Sequence, residues 1–221
     1  MKSKLYFIEF SNENFSEYEK YAEFLTSDKK ARIQNFRFNA DKKLSLFSDL
    51  FVRYITCKEL GLGNSDLSFT KNSFGKPYLA DFPNFQYNIS HTKNAILIGV
   101  SEKPIGVDIE KIKNSDLKIA ERFFCKKELE HIISSDGYDQ AFYEIWTKKE
   151  AYIKWIGKGL SLPLNSFDIT SPEINRMLNI FKVNDYILAV CGEEFFCKLE
   201  LEILDEHQMT QILSGFFNHS V

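Results

Sequence analysis

The chain is poor in the residues that punctuate or staple unusual folds: of 221 residues, ten are glycine, five proline and four cysteine. That scarcity excludes a collagen-type repeat, a Pro/Gly-rich disordered chain and a disulfide scaffold. Cys57, Cys125, Cys191 and Cys197 are widely spaced with no C-x-x-C pair, which suits reduced thiols and neither bridges nor a zinc site. His91, His131, His207 and His219 show no metal-type spacing. Long apolar runs are also missing. The cleanest, Ala95–Val100 and Tyr186–Cys191, extend for about six residues where roughly 20 are needed to span a bilayer. Glu9 interrupts the N-terminal apolar stretch, and no small-residue cleavage site follows it. Neither a membrane segment nor a signal peptide is expected, and the expected location is the cytoplasm. Positive charge is not in excess: 28 Lys and Arg stand against 31 Asp and Glu, a net −3. A nucleic-acid partner is therefore not expected, and any anion must be held in a local pocket.

What is present can build a core, with 44% hydrophobic and 15% aromatic residues, enough for one large domain or two small ones. Over Asp41–Leu60, Leu44, Phe47, Phe51, Tyr54 and Ile55 recur at helical intervals and predict one buried stripe. Gly61 and Gly63 stop that helix. Strand-like pieces follow at Leu67–Thr70, Gln86–Ser90, Ala95–Ser101 and Ile105–Ile109. The second half repeats the grammar. Helices are expected over Lys126–Ile133 and Gln140–Ile156, the latter ended by Gly157 and Gly159. Strand-like pieces follow at Phe167–Thr170, Ile180–Val183, Tyr186–Cys191 and Phe195–Leu204, with Asn184-Asp185 as a hairpin turn. Tyr87–Ser90 then Ala95–Ser101 is answered by Phe167–Thr170 then Tyr186–Gly192. The expected fold is α+β: a pseudo-dimer of two similar halves, residues 1–103 and 104–221. Each half is a helix-backed antiparallel sheet, and the active site lies in the groove between them. Helix-then-hairpin order also arises without duplication, so the repeat alone does not prove it.

Four stretches carry polar chemistry, and each admits a plainer structural reading. In Ile105–Lys111, alternate residues of a strand share a face, so Asp108 and Glu110 project together while Val107 and Ile109 face a core. A divalent cation such as Mg²⁺, which prefers oxygen ligands, would relieve their repulsion; so would simple exposure of an acidic face. On a helix, Trp146, Glu150 and Lys154 form one row. Glu150 could reach a metal or take a proton and Lys154 could neutralise phosphate, or the two could be a surface pair. Ser90 and His91 end a strand before a turn. Neighbours on an extended chain point apart, which is poor nucleophile–base geometry, and there is no G-x-S-x-G elbow. The pair suits anion binding, or turn capping. In Phe74–Tyr78, Gly75 allows close approach, Lys76 brings charge and Pro77 fixes the backbone. The segment could be a wall for a planar base, or an ordinary β-turn.

In combination, Phe74–Leu79, Tyr87–Thr92, Pro104–Ile112 and Trp146–Leu164 resemble the 4′-phosphopantetheinyl transferase superfamily, in its long, surfactin-synthetase-activating (Sfp) type. The likeness runs from about Glu23 to Phe167 and fades beyond Asn175. The short holo-acyl-carrier-protein synthase branch has related V-D-I-E and K-E-A elements in chains about half as long that form trimers. Here both halves lie in one chain, which implies a monomer with internal pseudo-symmetry. The resemblance implies Mg²⁺-dependent transfer of the phosphopantetheine arm of coenzyme A to a serine of an apo acyl or peptidyl carrier protein. Adenosine 3′,5′-bisphosphate would be released.

By motif match, Asp108, Glu110 and Glu150 would hold Mg²⁺ on the coenzyme A pyrophosphate, and Lys154 would pair with pyrophosphate oxygens. Glu150 is also the implied general base. Ser90 and His91 would contact phosphates, His91 the 3′-phosphate, while Gly75, Lys76 and Pro77 would flank the adenine. Lys29 and Arg32 fall where the family places basic residues for the 3′-phosphate. Leu44 stands where an arginine is usual, with Lys42 or Lys43 as the substitute, and Cys125 stands where a serine cap is usual. The alternative is a protein that binds coenzyme A or a carrier without turnover. An Mg²⁺-dependent phosphohydrolase would leave Gly75–Pro77 and the Ser90–His91 pair without a role. All three carboxylates and Lys154 are in place, which favours turnover.

Overall fold

The structure, a computed structural model, describes residues 2–193 and 199–218. Its first half runs β1 (Lys4–Glu9), α1 (Ser27–Gln34), α2 (Asn39–Leu60), β2 (Phe69–Lys71), β3 (Pro77–Leu79), β4 (Gln86–Thr92) and β5 (Ala95–Ser101). The second runs β6 (Gly106–Lys111), α3 (Leu117–Phe123), α4 (Lys126–Ser134), α5 (Tyr138–Ile156), α6 (Pro172–Asn175), β7 (Leu178–Val183) and β8 (Tyr186–Cys191). β9 (Glu200–Asp205) and α7 (Glu206–Asn218) follow. The periodic stripe of α2 is buried as its spacing predicts, and Gly61 ends the helix at φ 68°, its N–H on the Cys57 carbonyl.

The two larger sheets share one strand order. In the first, β1 pairs antiparallel with β5, which pairs with β4. In the second, β6 pairs antiparallel with β8, which pairs with β7. Both hairpins turn on an asparagine with positive φ, Asn94 at 62° and Asn184 at 53°, a backbone that asparagine tolerates better than most residues. The counterpart of β4 is therefore β7. Phe167–Thr170, expected as that strand, is not one. Its backbone is committed elsewhere: the Phe167 carbonyl accepts from Lys149 Nζ, and the Ile169 N–H donates to Glu128 Oε1.

The two sheets stack face to face, which explains the unbroken apolar runs. Leu5, Phe7, Leu97, Val107, Ile109, Leu188 and Val190 fill the layer between them. The alternate residues Tyr6, Ile8, Ile96 and Ile98 share a core with α2, and Ile187, Ala189 and Cys191 share one with α5. β5 and β8 are thus covered on both faces and buried along their whole length.

The last described elements return to the first sheet. β9 pairs in parallel with β1, Lys4 opposite Glu200. Met209, Leu213 and Phe217 of α7 join the core beneath α2. Residues 200–218 therefore lie with the first half, because that core offers the apolar face α7 needs. Of the strand expected over Phe195–Leu204, the part from Glu200 is present; 195–198, with Cys197, lie outside the described residues, as does His219. Among the described residues no helix is long and apolar enough to cross a membrane.

Candidate active site

The site forms where β4 meets β6. No backbone ladder joins these strands; side chains do. Asn88, Ser90 and Thr92 share one face of β4 by the period of two. Asn88 Oδ1 accepts from the Val107 N–H at 2.9 Å, Ser90 Oγ donates to Asp108 Oδ1 at 2.8 Å, and Thr92 Oγ1 donates to Glu110 Oε2 at 3.3 Å. With Val107 and Ile109 committed to the core between the sheets, alternation turns Asp108 and Glu110 the other way. There α5 crosses, and Lys154 Nζ donates to Asp108 Oδ1 at 2.6 Å and to Ser90 Oγ at 2.8 Å. Gly106 permits this approach: a Cβ there would overlap the Ala151 carbonyl oxygen and the Trp155 amide nitrogen.

Charge at this seam is uneven. Asp108 is 4% exposed, and its Oδ2 is buried without a hydrogen-bond partner. Burial, and then the Asp108 charge, push the Glu110 carboxyl up to about 7 against the pull of Thr92 and Lys154. Glu150 is raised for the same reasons, with Lys154 opposing. A divalent cation fits this donor set, because it would satisfy the bare Asp108 oxygen and offset the mutual repulsion. Asp108, Glu110 and Glu150 do not place three ligand atoms all within 4.8 Å of one another. Among the described residues, the group that does is Cys125, Glu128 and Asp168. Glu128 there already accepts from Lys149 Nζ at 2.8 Å, with both side chains fully buried. It accepts as well from the N–H groups of Cys125 and Ile169. That group is an internal lock between α4, α5 and the 164–169 segment.

Beside the seam lies a cavity of about 390 Å³ lined by Lys29, Arg32, Arg53 and Lys71 with Phe69, Pro77 and Tyr87. Lys29 Nζ is paired to Asp49 at 2.7 Å. Arg53, which the sequence reading missed, lies over the Phe69 ring and donates to Asn64 Oδ1. The signal for it was a cation on the buried stripe of α2. Thr92 was missed too, and its signal was the alternation with Ser90. His91 opens onto a separate hollow with Asp41 and Leu44; the surrounding protein and then the Lys154 charge push its imidazole down, and Arg32 acts in the same direction.

Two lysines are committed to partners within the protein. Lys43 does not substitute for an arginine in the pocket, because its Nζ is buried on Glu206 Oε1 at 2.5 Å and the Asn12 carbonyl at 2.9 Å. Lys76 turns its ammonium to the carbonyls of Lys154 at 2.8 Å and Ile105 at 3.1 Å, and Pro77, not Lys76, lines the cavity.

The family model of the 4′-phosphopantetheinyl transferase superfamily matches residues 104–212, and that of the 4′-phosphopantetheinyl transferase N-terminal region matches residues 12–103. The 4′-phosphopantetheinyl transferase Sfp of Bacillus subtilis is 37% identical over 155 residues, covering 69% of each chain. The 4′-phosphopantetheinyl transferase gsp of Aneurinibacillus migulanus is 39% identical over 146 residues, 65% of this chain and 60% of that one. The mouse L-aminoadipate-semialdehyde dehydrogenase-phosphopantetheinyl transferase is 30% identical over 201 residues, 84% of this chain and 65% of that one. With both halves matched in order around this seam, the chain belongs to the 4′-phosphopantetheinyl transferase superfamily and is of the Sfp type.

Proposed function

We propose that the chain transfers the 4′-phosphopantetheine moiety of coenzyme A to a serine of an apo acyl or peptidyl carrier protein, releasing adenosine 3′,5′-bisphosphate. The observation that carries this reading is the meeting of Ser90, Asp108 and Lys154, from β4, β6 and α5, with Asp108 Oδ2 left bare. Asp108, Glu110 and Glu150 would hold Mg²⁺, which when bound supplies positive charge against the pyrophosphate. Lys154 would neutralise pyrophosphate oxygens, with Ser90 bonded to both Lys154 and Asp108. The nucleotide end would enter the cationic cavity. There Lys29 and Arg32, which line it, would meet the 3′-phosphate and Pro77 would flank the adenine, with Gly75 and Lys76 in the turn before Pro77 and His91 on the adjoining hollow. The carrier serine attacks the β-phosphorus in line, the pyrophosphate bond breaks, and Glu150 takes the serine proton. Both halves lie in one chain, so the reading needs one copy only.

The test is mass spectrometry of apo carrier proteins incubated with coenzyme A, Mg²⁺ and the protein. A gain of one phosphopantetheine arm, abolished by EDTA or by Asp108→Ala, is expected. Carriers that bind without any mass gain would leave a binding protein and defeat the proposal.

A further inference from the structure

The turn between β2 and β3 is fastened to the end of α5. Asn72 Oδ1 accepts from the N–H groups of Phe74 and Lys76, which fixes the turn, and Asn72 Nδ2 donates to the Gly157 carbonyl at 3.2 Å. Lys76 reaches further in, to the carbonyls of Lys154 and Ile105. The Lys154 carbonyl lies in the last helical turn, where carbonyls lack intrahelical partners and cations are favoured. No carboxylate among the described residues is ion-paired with Lys76, and burial lowers its ammonium to about 8. A cation placed at that cost has a narrow task. One ammonium ties the first residue before β6 to the residue whose side chain bridges Ser90 and Asp108.

We propose that Lys76 is a positioning residue for the transfer: by bonding the Lys154 and Ile105 carbonyls it holds the last turn of α5 on β6, so that the Lys154 ammonium stays on Asp108 and Ser90. This rests on the transferase reading, in which the Gly75–Pro77 segment is only an adenine wall. It makes the wall of the nucleotide cavity and the placement of Lys154 one mechanical unit.

Lys76→Met keeps the stem and removes the donor. A small misplacement of a catalytic group can cost about 10²-fold in rate, so a loss on the order of 10- to 100-fold in single-turnover transfer is expected, with KM for coenzyme A nearly unchanged. Lys76→Arg, which can still donate to both carbonyls, should recover most of it. In a Lys154→Ala background, Lys76→Met should cost little more, because residues acting through one group are not additive. Amide exchange over residues 153–157 should quicken in Lys76→Met while mid-helix amides hold. Asn72→Ala, which frees the Gly157 carbonyl, should show the same pattern more weakly and serves if Lys76→Met does not fold.

The proposal is overturned by a marked rise in KM for coenzyme A, whether or not dephospho-coenzyme A shares it, which would put Lys76 on the ligand. An undiminished loss in the Lys154→Ala background, or unchanged exchange at the end of α5, overturns it as well. A wild-type protein that modifies no apo carrier sinks the transferase reading instead, and the exchange measurement alone then decides whether Lys76 holds Lys154.

Discussion

Ser90 and Lys154 converge on one oxygen of Asp108 and leave its other oxygen bare. His91, the next residue on β4, points to the opposite side and faces Asp41 and Leu44. If it contacts the 3′-phosphate, His91→Ala weakens coenzyme A by about 1.5–3 kcal/mol, the value of one charge-assisted hydrogen bond, and hardly affects dephospho-coenzyme A. Calorimetric titration with both ligands checks this, and equal losses would place His91 elsewhere. Glu150 needs a different separation. If it is a ligand alone, raising Mg²⁺ restores Glu150→Gln; if it is also the base, a residual defect of about 10²–10⁴-fold persists at saturating Mg²⁺. Single-turnover transfer with Mg²⁺ varied distinguishes them, and the residual defect is expected. Asp108 and Glu110 were legible in the sequence because strand alternation puts both on one face. The destinations of Lys43 and Lys76 were not. A lysine's stem is long, and its acceptors, Glu206 for the one and the α5 carbonyls for the other, are set by tertiary approach alone.

Between elements, the Glu128–Lys149 pair at 2.8 Å is the most deeply buried ion pair among the described residues. It ties α4 to α5, and Lys149 also takes the carbonyls of Leu164 and Phe167. Glu128→Ala leaves an unpaired buried ammonium and should cost about 3–5 kcal/mol of stability, whereas replacing both partners by apolar residues should cost much less. Urea denaturation of the single and double variants checks this, and equal losses would contradict it. The same lock explains the misread segment. Phe167–Thr170 alternates as a strand should, yet its backbone groups go to Lys149 and Glu128, a tertiary override that no local pattern announces. The hairpins β4–β5 and β7–β8 were readable, since apolar runs around Asn94 and Asn184 carry their own turn signal. α7 was unread, because its apolar residues pack on a core built by residues far away in sequence.

Across the molecule, Glu206 closes the circuit between the end of β9 and the first half. It accepts from Lys43 Nζ, Tyr18 OH, and the Ser11 hydroxyl and N–H. Burial alone would raise its carboxyl, but those donors outweigh burial and hold it below its ordinary 4.5. A depressed carboxyl contributes stability that is fully present above 4.5 and is lost as pH falls through the lower folded value. The wild type should therefore lose more stability than Glu206→Gln on acidification below about 4.5, which thermal melts across that range test; parallel losses would show that Glu206 is not depressed. The parallel pairing of β1 with β9 also orders events in time. On the ribosome, β1 emerges first and α2 soon after, but the strand that covers the outer edge of β1 emerges last. Until then the growing chain carries an open strand edge, the kind that recruits other chains, and long-range pairing of this sort is slow to form. The first half, though it holds every residue that lines the cationic cavity, is therefore unfinished until residues 200–218 have left the ribosome.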